Sequence, residues 1–169
     1  NSKNPIFKVS DMFVSLYIKQ QYYPPRSEYK YHVCWCDTLQ KRKEAGQIRH
    51  LGFSFHGTPD KLEELIQKYP WDFVQLQLNY IDWDVQNAKR QYEILEENKI
   101  QCIVMEPLRG GTLAVLCDDA KEILKKAEPE KSLASWALRY AATLPNVLTV
   151  LSGMSAMDQV VDNILLLTH

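Results

Sequence analysis

The chain has 169 residues, 46% of them apolar, enough to bury one core of ordinary domain size. Its 20 basic and 21 acidic side chains leave a net charge of -1, so no strong field selects nucleic acid or an anionic surface. No apolar run approaches the ~18 residues of a membrane span, and residues 1–30 lack the continuous apolar core of a signal peptide, so the expectation is a soluble, cytoplasmic protein without a membrane or nucleic-acid partner.

Residues 1–45 read differently from the rest. Asp11 to Lys19 fits a strand or a short helix, with Met12, Val14, Leu16 and Ile18 alternating against polar neighbours. Tyr22-Tyr23-Pro24-Pro25 then breaks the chain, and Tyr29, Tyr31 and Trp35 follow without a repeated period. Asp37 to Ala45 is charged and free of breakers, which predicts a helix with Gly46 as its C-terminal cap. Of the cysteines Cys34, Cys36, Cys102 and Cys117, only the first two are close, and C-x-C without a second pair predicts no metal site. Four free thiols fit a reducing compartment.

From residue 46 onward strands and helices alternate. Strands are expected at Ile48–Ser54, Phe73–Asn79, Gln101–Glu106 and Leu148–Ser152. After the first, Thr58 and Pro59 open a helix with Leu62, Leu65, Ile66 and Tyr69 on one face. After the second, Val85, Ala88, Tyr92 and Leu95 form a similar stripe up to Asn98. After the third come two helices, one carrying Ala120, Ile123, Leu124 and Ala127, the other carrying Leu133, Trp136, Ala137, Tyr140 and Ala141 behind Ser132. After the fourth, Ser155 and Asp158 make a capping-box pair before Val160, Val161, Ile164 and Leu165.

A βα pitch of roughly 25 to 30 residues implies parallel βα units, hence a doubly wound sheet or a (β/α)8 barrel. No G-x-G-x-x-G follows a strand, which favours the barrel. A closed barrel needs eight strands and about 250 residues, so the expected fold is α/β, a partial (β/α)8 TIM barrel. It has about four C-terminal βα units in residues 46–169 and an atypical N-terminal segment in residues 1–45.

In such folds the working face lies at the C-terminal ends of the strands. Ser54 and His56 can present donors there, or serve as a strand-end hydroxyl and a solvated loop residue. Gln75, Gln77 and Asn79 share one face of their strand, opposite Val74, Leu76 and Leu78. A row of inward amides implies a polar ligand or an inner hydrogen-bond network, because a buried unpaired amide costs about 1–3 kcal/mol. Arg109-Gly110-Gly111 after the third strand can offer backbone N–H groups and a guanidinium to phosphate, or form an ordinary glycine turn. Ser152-Gly153-Met154-Ser155 opens the last helix, where such barrels tend to hold an anion.

The wording of four segments, Gln47–Gly57, Trp71–Tyr80, Met105–Thr112 and Leu148–Asn163, resembles the C-terminal half of aldo/keto reductases. The likeness is nearest to the bacterial and archaeal branch that often carries an iron–sulfur segment. It spans residues 41 to 169 or so. The resemblance implies a (β/α)8 barrel that binds NADP or NAD and reduces small aldehydes or ketones. It places Ser54 and Gln75 at the nicotinamide carboxamide, Glu106 and Leu108 near the pyrophosphate with Arg109 and Gly110 beside it, Gly153, Met154 and Ser155 near the adenosine phosphate, and Gln159 and Asn163 towards the adenine. Phe55 stands where many members have an asparagine that makes one of the carboxamide contacts. The Gly153–Ser155 loop lacks the basic residue with which many members grip a 2′-phosphate, so NADP and NAD stay open.

The family's catalytic tyrosine, lysine, aspartate and histidine come from the first half of the barrel, which residues 1–40 do not match. Tyr22, Tyr23, Lys30 and His32 have suitable chemistry, but no motif places them, so no catalytic residue is assigned. The expectation is a truncated reductase domain with cofactor-site residues and without the catalytic half. The alternatives are a working oxidoreductase made by pairing two half-barrels, and a non-catalytic nucleotide-binding or interaction module. Either a homodimer through the open barrel edges or an N-terminal cap over the edge is expected, because an uncovered edge invites association.

Overall fold

The computed structural model describes residues 12–19 and 29–167, with side chains described from residue 36 to residue 166. Five strands, β1 (Met12–Lys19), β2 (His50–His56), β3 (Phe73–Gln77), β4 (Gln101–Met105) and β5 (Val147–Val150), form one sheet in chain order. Every pairing is parallel. The helices are α1 (Tyr29–Glu44), α2 (Pro59–Ile66), α3 (Asp82–Val85), α4 (Ala88–Glu97), α5 (Asp118–Ala127), α6 (Leu133–Ala142) and α7 (Met157–Leu167). Parallel neighbours require a crossover between them, and helices supply it here. The result is an open α/β sheet of the kind that makes part of a (β/α)8 barrel.

The first strand settles the strand-or-helix alternative at Asp11–Lys19: Leu16 to Lys19 pair with Phe53 to His56 of β2. The expected helix at Asp37–Ala45 begins earlier, at Tyr29, and Gly46 caps it with φ +73°. That left-handed turn lets Gln47 N–H bond Arg42 O at 2.9 Å, satisfying a carbonyl of the last turn. Tyr22 and Tyr23 lie outside the described residues.

Two faces of the sheet divide the chemistry. On one, Phe53, Val74 and Cys102 stand side by side in register, joined by Leu51, Phe55, Leu76 and Val104 in the core cluster. The helices cover this face with Cys36 and Leu39 of α1, Leu62 and Ile66 of α2, and Tyr92 and Leu95 of α4. Burying side chains of this size stabilises by about 1.5–3 kcal/mol each. On the other face lie Gly52, Ser54, Phe73, Gln75, Gln77, Ile103 and Met105. Gly52 is required there, because a Cβ would come within 2.4 Å of Phe73 O and 2.5 Å of its ring.

Asp72 ties the start of the sheet together. Its Oδ2 accepts from Lys43 Nζ at 2.5 Å and from Leu51 N at 2.6 Å, while its own N–H donates to Leu51 O at 2.8 Å. On the far side, Ser132 caps α6 by accepting from Ser135 N at 3.0 Å and donates to Asp162 of α7 at 2.6 Å.

Several boundaries differ from expectation for local reasons. The stripe Val85–Leu95 is two helices, because Asn87 takes φ +53° between them, and Val85 is left exposed. Thr58 makes no side-chain cap; its carbonyl accepts from Lys61 and Leu62 instead. The Ser155–Asp158 capping box does not form, because α7 begins two residues after Ser155 and Gln159 does the capping. The α5 stripe carrying Ile123 buries no residue, and Ile123 is exposed.

Two outcomes test this packing. Gly52→Ala should destabilise the fold by about 1–3 kcal/mol through overpacking against Phe73, read as a lower urea midpoint with an unchanged slope. Burial pushes the Cys102 thiol up to about 12. At pH 8 a thiol reagent with peptide mapping should therefore label exposed Cys117 and leave Cys102 unlabelled until the chain is unfolded.

Candidate functional site

The C-terminal ends of β2, β3, β4 and β5 lie side by side, and the residues expected at a cofactor cluster there. Ser54 and Gln75 are register partners on the face away from the helices, with Ile103 and Met105 on the next strand. Ser54 is buried and Gln75 half-buried. Gln75 Nε2 points at Met105 Sδ, 3.2 Å away. A thioether is a weak acceptor, so this amide gains by exchanging the sulfur for a carbonyl oxygen. Met105 was not singled out in the sequence; its place two residues after Ile103 on an inward-facing row was the available signal.

The row of three amides resolves into two kinds. The strand ends at Gln77, so Asn79 leaves the row and turns into the next helix. Asn79 is completely buried, and its Oδ1 accepts from the backbone N–H groups of Ile81 (3.1 Å) and Asp82 (2.9 Å). Its Nδ2 donates to Asp82 Oδ2 at 2.6 Å and to Glu106 O at 3.0 Å, and Gln77 Nε2 reaches the same Asp82 oxygen at 2.9 Å. Gln77 and Asn79 therefore belong to an inner hydrogen-bond network, and Gln75 is the amide left facing the open side. Asp82, buried at 0% exposure, is the centre of that network and was missed by sequence reading. The spacing Asn79-x-x-Asp82 at a helix start was its only signal.

The loop after β4 is wound tightly. Glu106, Arg109, Gly110 and Gly111 all have positive φ, at 55°, 48°, 62° and 89°. Pro107 is buried, and Leu108 O accepts from Gly111 N at 3.0 Å and Leu113 N at 3.1 Å. The Glu106 carboxylate accepts from Gly110 N at 2.6 Å, so the amide that faces an anion here faces the loop's own carboxylate. Arg109 Nε lies 3.3 Å from Asp82 Oδ1, an ion pair without hydrogen-bond alignment.

Beyond β5, Leu151 N donates to Val104 O at 2.8 Å, which sets the α7 entry beside the β4 end. Gly153 has open space where a Cβ would stand, and Met154 is exposed. Gln159 Oε1 accepts from Ser155 N at 2.8 Å and Ala156 N at 3.2 Å, and Asn163 Nδ2 donates to Ser152 Oγ at 2.8 Å. Gly153, Met154, Ser155, Gln159 and Asn163 are thus brought together at one helix start, with the two amide side chains engaged locally.

The tyrosines around the sheet that shift all move upward. Burial raises Tyr80, and burial with Asp84 beside it raises Tyr140, away from neutral pH. Tyr92 also moves upward, chiefly through burial, and Tyr69 is pushed up to about 12 by burial and by its hydrogen bond to Asp37. Lys30 and His32 lie in α1, with side chains outside the described set. No group of three metal-ligating side chains occurs among the described residues, and no described helix is long and apolar enough to cross a membrane.

Solved structures share this fold. A thermostable aldo-keto reductase in complex with the inhibitor epalrestat is 20% identical, with a TM-score of 0.63, and the match covers 79% of this chain and 48% of that one. An aldo-keto reductase from Klebsiella pneumoniae in complex with NADPH is 16% identical, with a TM-score of 0.59 and coverages of 79% and 48%. A further Klebsiella pneumoniae aldo/keto reductase, in complex with NADP and acetate, is 17% identical, with a TM-score of 0.57 and coverages of 79% and 47%. The chain therefore spans about half the length of these structures, 48% of the first. No curated protein sequence matched. The sequence model of the Aldo/keto reductase family matches residues 21–169, nearly the whole chain, and the chain accordingly belongs to the aldo/keto reductase family.

Proposed function

We propose that this chain forms the cofactor-holding half of an aldo/keto reductase-type oxidoreductase domain, binding NADP or NAD across the ends of β2 to β5. Ser54 and Gln75 hold the nicotinamide carboxamide. Glu106, Leu108, Arg109 and Gly110 line the pyrophosphate, Gly153, Met154 and Ser155 the adenosine phosphate, and Gln159 and Asn163 the adenine side. The observation that carries the reading is Gln75, whose amide rests on the sulfur of Met105 beside buried Ser54. A ligand carboxamide oxygen is a better acceptor than the thioether it displaces. Neighbours of the same fold in complex with NADPH and NADP support the cofactor class.

At the phosphate end the residues fit after an exchange of partners. Gly110 N must leave the Glu106 carboxylate, and the Ser155 and Ala156 amides must leave the Gln159 side chain. Bound in its reduced form, the cofactor supplies a hydride to the carbonyl carbon of a small aldehyde or ketone. The residues of this half bind and orient it. Free Cys36, Cys102 and Cys117 suit a cytoplasmic setting.

A second reading, a non-catalytic module that associates through its open edges, draws on exposed apolar side chains. Among the described residues β5 pairs only with β4. Next to it α7 exposes Met157 and Val161. In this reading two copies meet as a homodimer over these surfaces.

Titration with NADPH should change its fluorescence, and Gln75→Leu should weaken binding by about tenfold while circular dichroism stays unchanged. A wild-type chain that leaves the fluorescence unaltered would sink the cofactor reading. Light scattering should give twice the monomer mass for the homodimer, falling to the monomer in Met157→Glu/Val161→Glu. A wild-type monomer retires the dimer.

A further inference from the structure

We infer that Asp82 is a positioning residue for the Glu106–Thr112 loop, holding Arg109 and the first carbonyl of the loop in register for a pyrophosphate. The inference rests on the reading of that loop as the pyrophosphate side of the site. A carboxylate at 0% exposure is costly unless donors replace its water. The compensating groups come from separate parts of the rim. Gln77, on the inward row of β3, and Asn79, on the turn that follows, donate hydrogen bonds, and Arg109, on the loop after β4, supplies a charge.

The two carboxylate oxygens do different things. Oδ2 takes the amides of Gln77 and Asn79, and through the same Nδ2 Asn79 also holds Glu106 O at 3.0 Å. Oδ1 has no hydrogen bond and faces Arg109 Nε at 3.3 Å, so this oxygen is compensated by the guanidinium's charge. The first and fourth residues of the loop are therefore both fixed from Asn79 and Asp82. Glu106 O in turn accepts from Arg109 N at 3.0 Å, closing the turn between them. Both fixed residues carry positive φ, which non-glycine residues hold only where the surroundings impose it.

A guanidinium anchored through Nε keeps its Nη edge for bidentate contact with a phosphate. The Arg109 side chain is 38% exposed, so that edge is reachable. Asp82 also cancels part of the arginine's field. Position and charge then make opposite forecasts for Asp82→Asn: removing a negative charge near the phosphate should tighten binding if field dominates, and loosening Arg109 should weaken it if position dominates.

The test uses the full chain. In Asp82→Asn, amide hydrogen exchange over residues 106–113 should run about tenfold faster than in the wild type, with residues 51–55 of β2 unchanged. NADPH affinity should fall by about tenfold, while affinity for reduced nicotinamide mononucleotide, which lacks the pyrophosphate, should hold. Loop exchange within twofold of wild type, or tighter NADPH binding, overturns the inference. If Asp82→Asn exchanges fast throughout, the fold has failed and Arg109→Met decides. That part-exposed variant must speed exchange at the loop alone, and unchanged loop exchange in it overturns the inference. A wild-type chain that does not bind NADPH removes the cofactor reading, and loop exchange in the variants still decides whether Asp82 positions the loop.

Discussion

Burial of one face of a parallel sheet under helices is the constraint from which the rest of this structure follows. Phe53, Val74 and Cys102 form a continuous apolar row beneath α1, α2 and α4. Because side chains alternate along a strand, filling that row commits Ser54, Gln75 and Met105 to the opposite face. A shift of one residue in any strand would put its polar residues under the helices. The contact of Phe73 with Gly52 pins β2 to β3 at the point where a side chain on residue 52 could not fit.

Polar groups accumulate where the apolar layer ends. At the C-terminal ends of the strands the chain must turn away from the sheet, and its backbone groups need partners that a ladder no longer supplies. Here those partners are internal: Asn79 and Asp82 at the β3 end, Glu106 on Gly110 at the β4 end, Gln159 and Asn163 at the start of α7. Each engaged group is also of a kind that binds an anion or an amide. A rim whose donors are already satisfied is stable without ligand, and the binding proposed there would be an exchange of partners rather than the filling of vacant sites.

The opposite side of the molecule is less well covered. Burial falls off across the sheet from β2, where Leu51 to Phe55 are all buried, to β5, where Thr149 is exposed. Of the last three helices, α6 packs on β5 and buries Ser135, Ala137, Leu138 and Ala141, whereas α5 buries no residue and α7 leaves Met157 and Val161 in solvent. Covering layers on both sides is the rule for parallel sheets, and the β5 flank is where that cover is thinnest among the described residues.

The sequence by itself determined the alternation of parallel βα units, the helix-facing row, and the placement of Ser54, Gln75, Glu106 and Arg109 at the strand ends, because a period of 2 against 3.6 and the chemistry of turns are local properties. It also identified the family through four ordered segments. Only the tertiary structure decided which amides face inward to a partner and which remain open. Gln77 and Asn79 were separated from Gln75 by Asp82, whose Oδ2 accepts from both, while Asn79 also reaches the carbonyl of Glu106, 27 positions on in sequence. In the same way, the halving of the Val85–Leu95 stripe depended on Asn87 turning left-handed, and the α7 cap on Gln159 reaching back to Ser155. Such choices turn on which donors and acceptors meet once the strands are side by side, and no window along the chain contains that geometry.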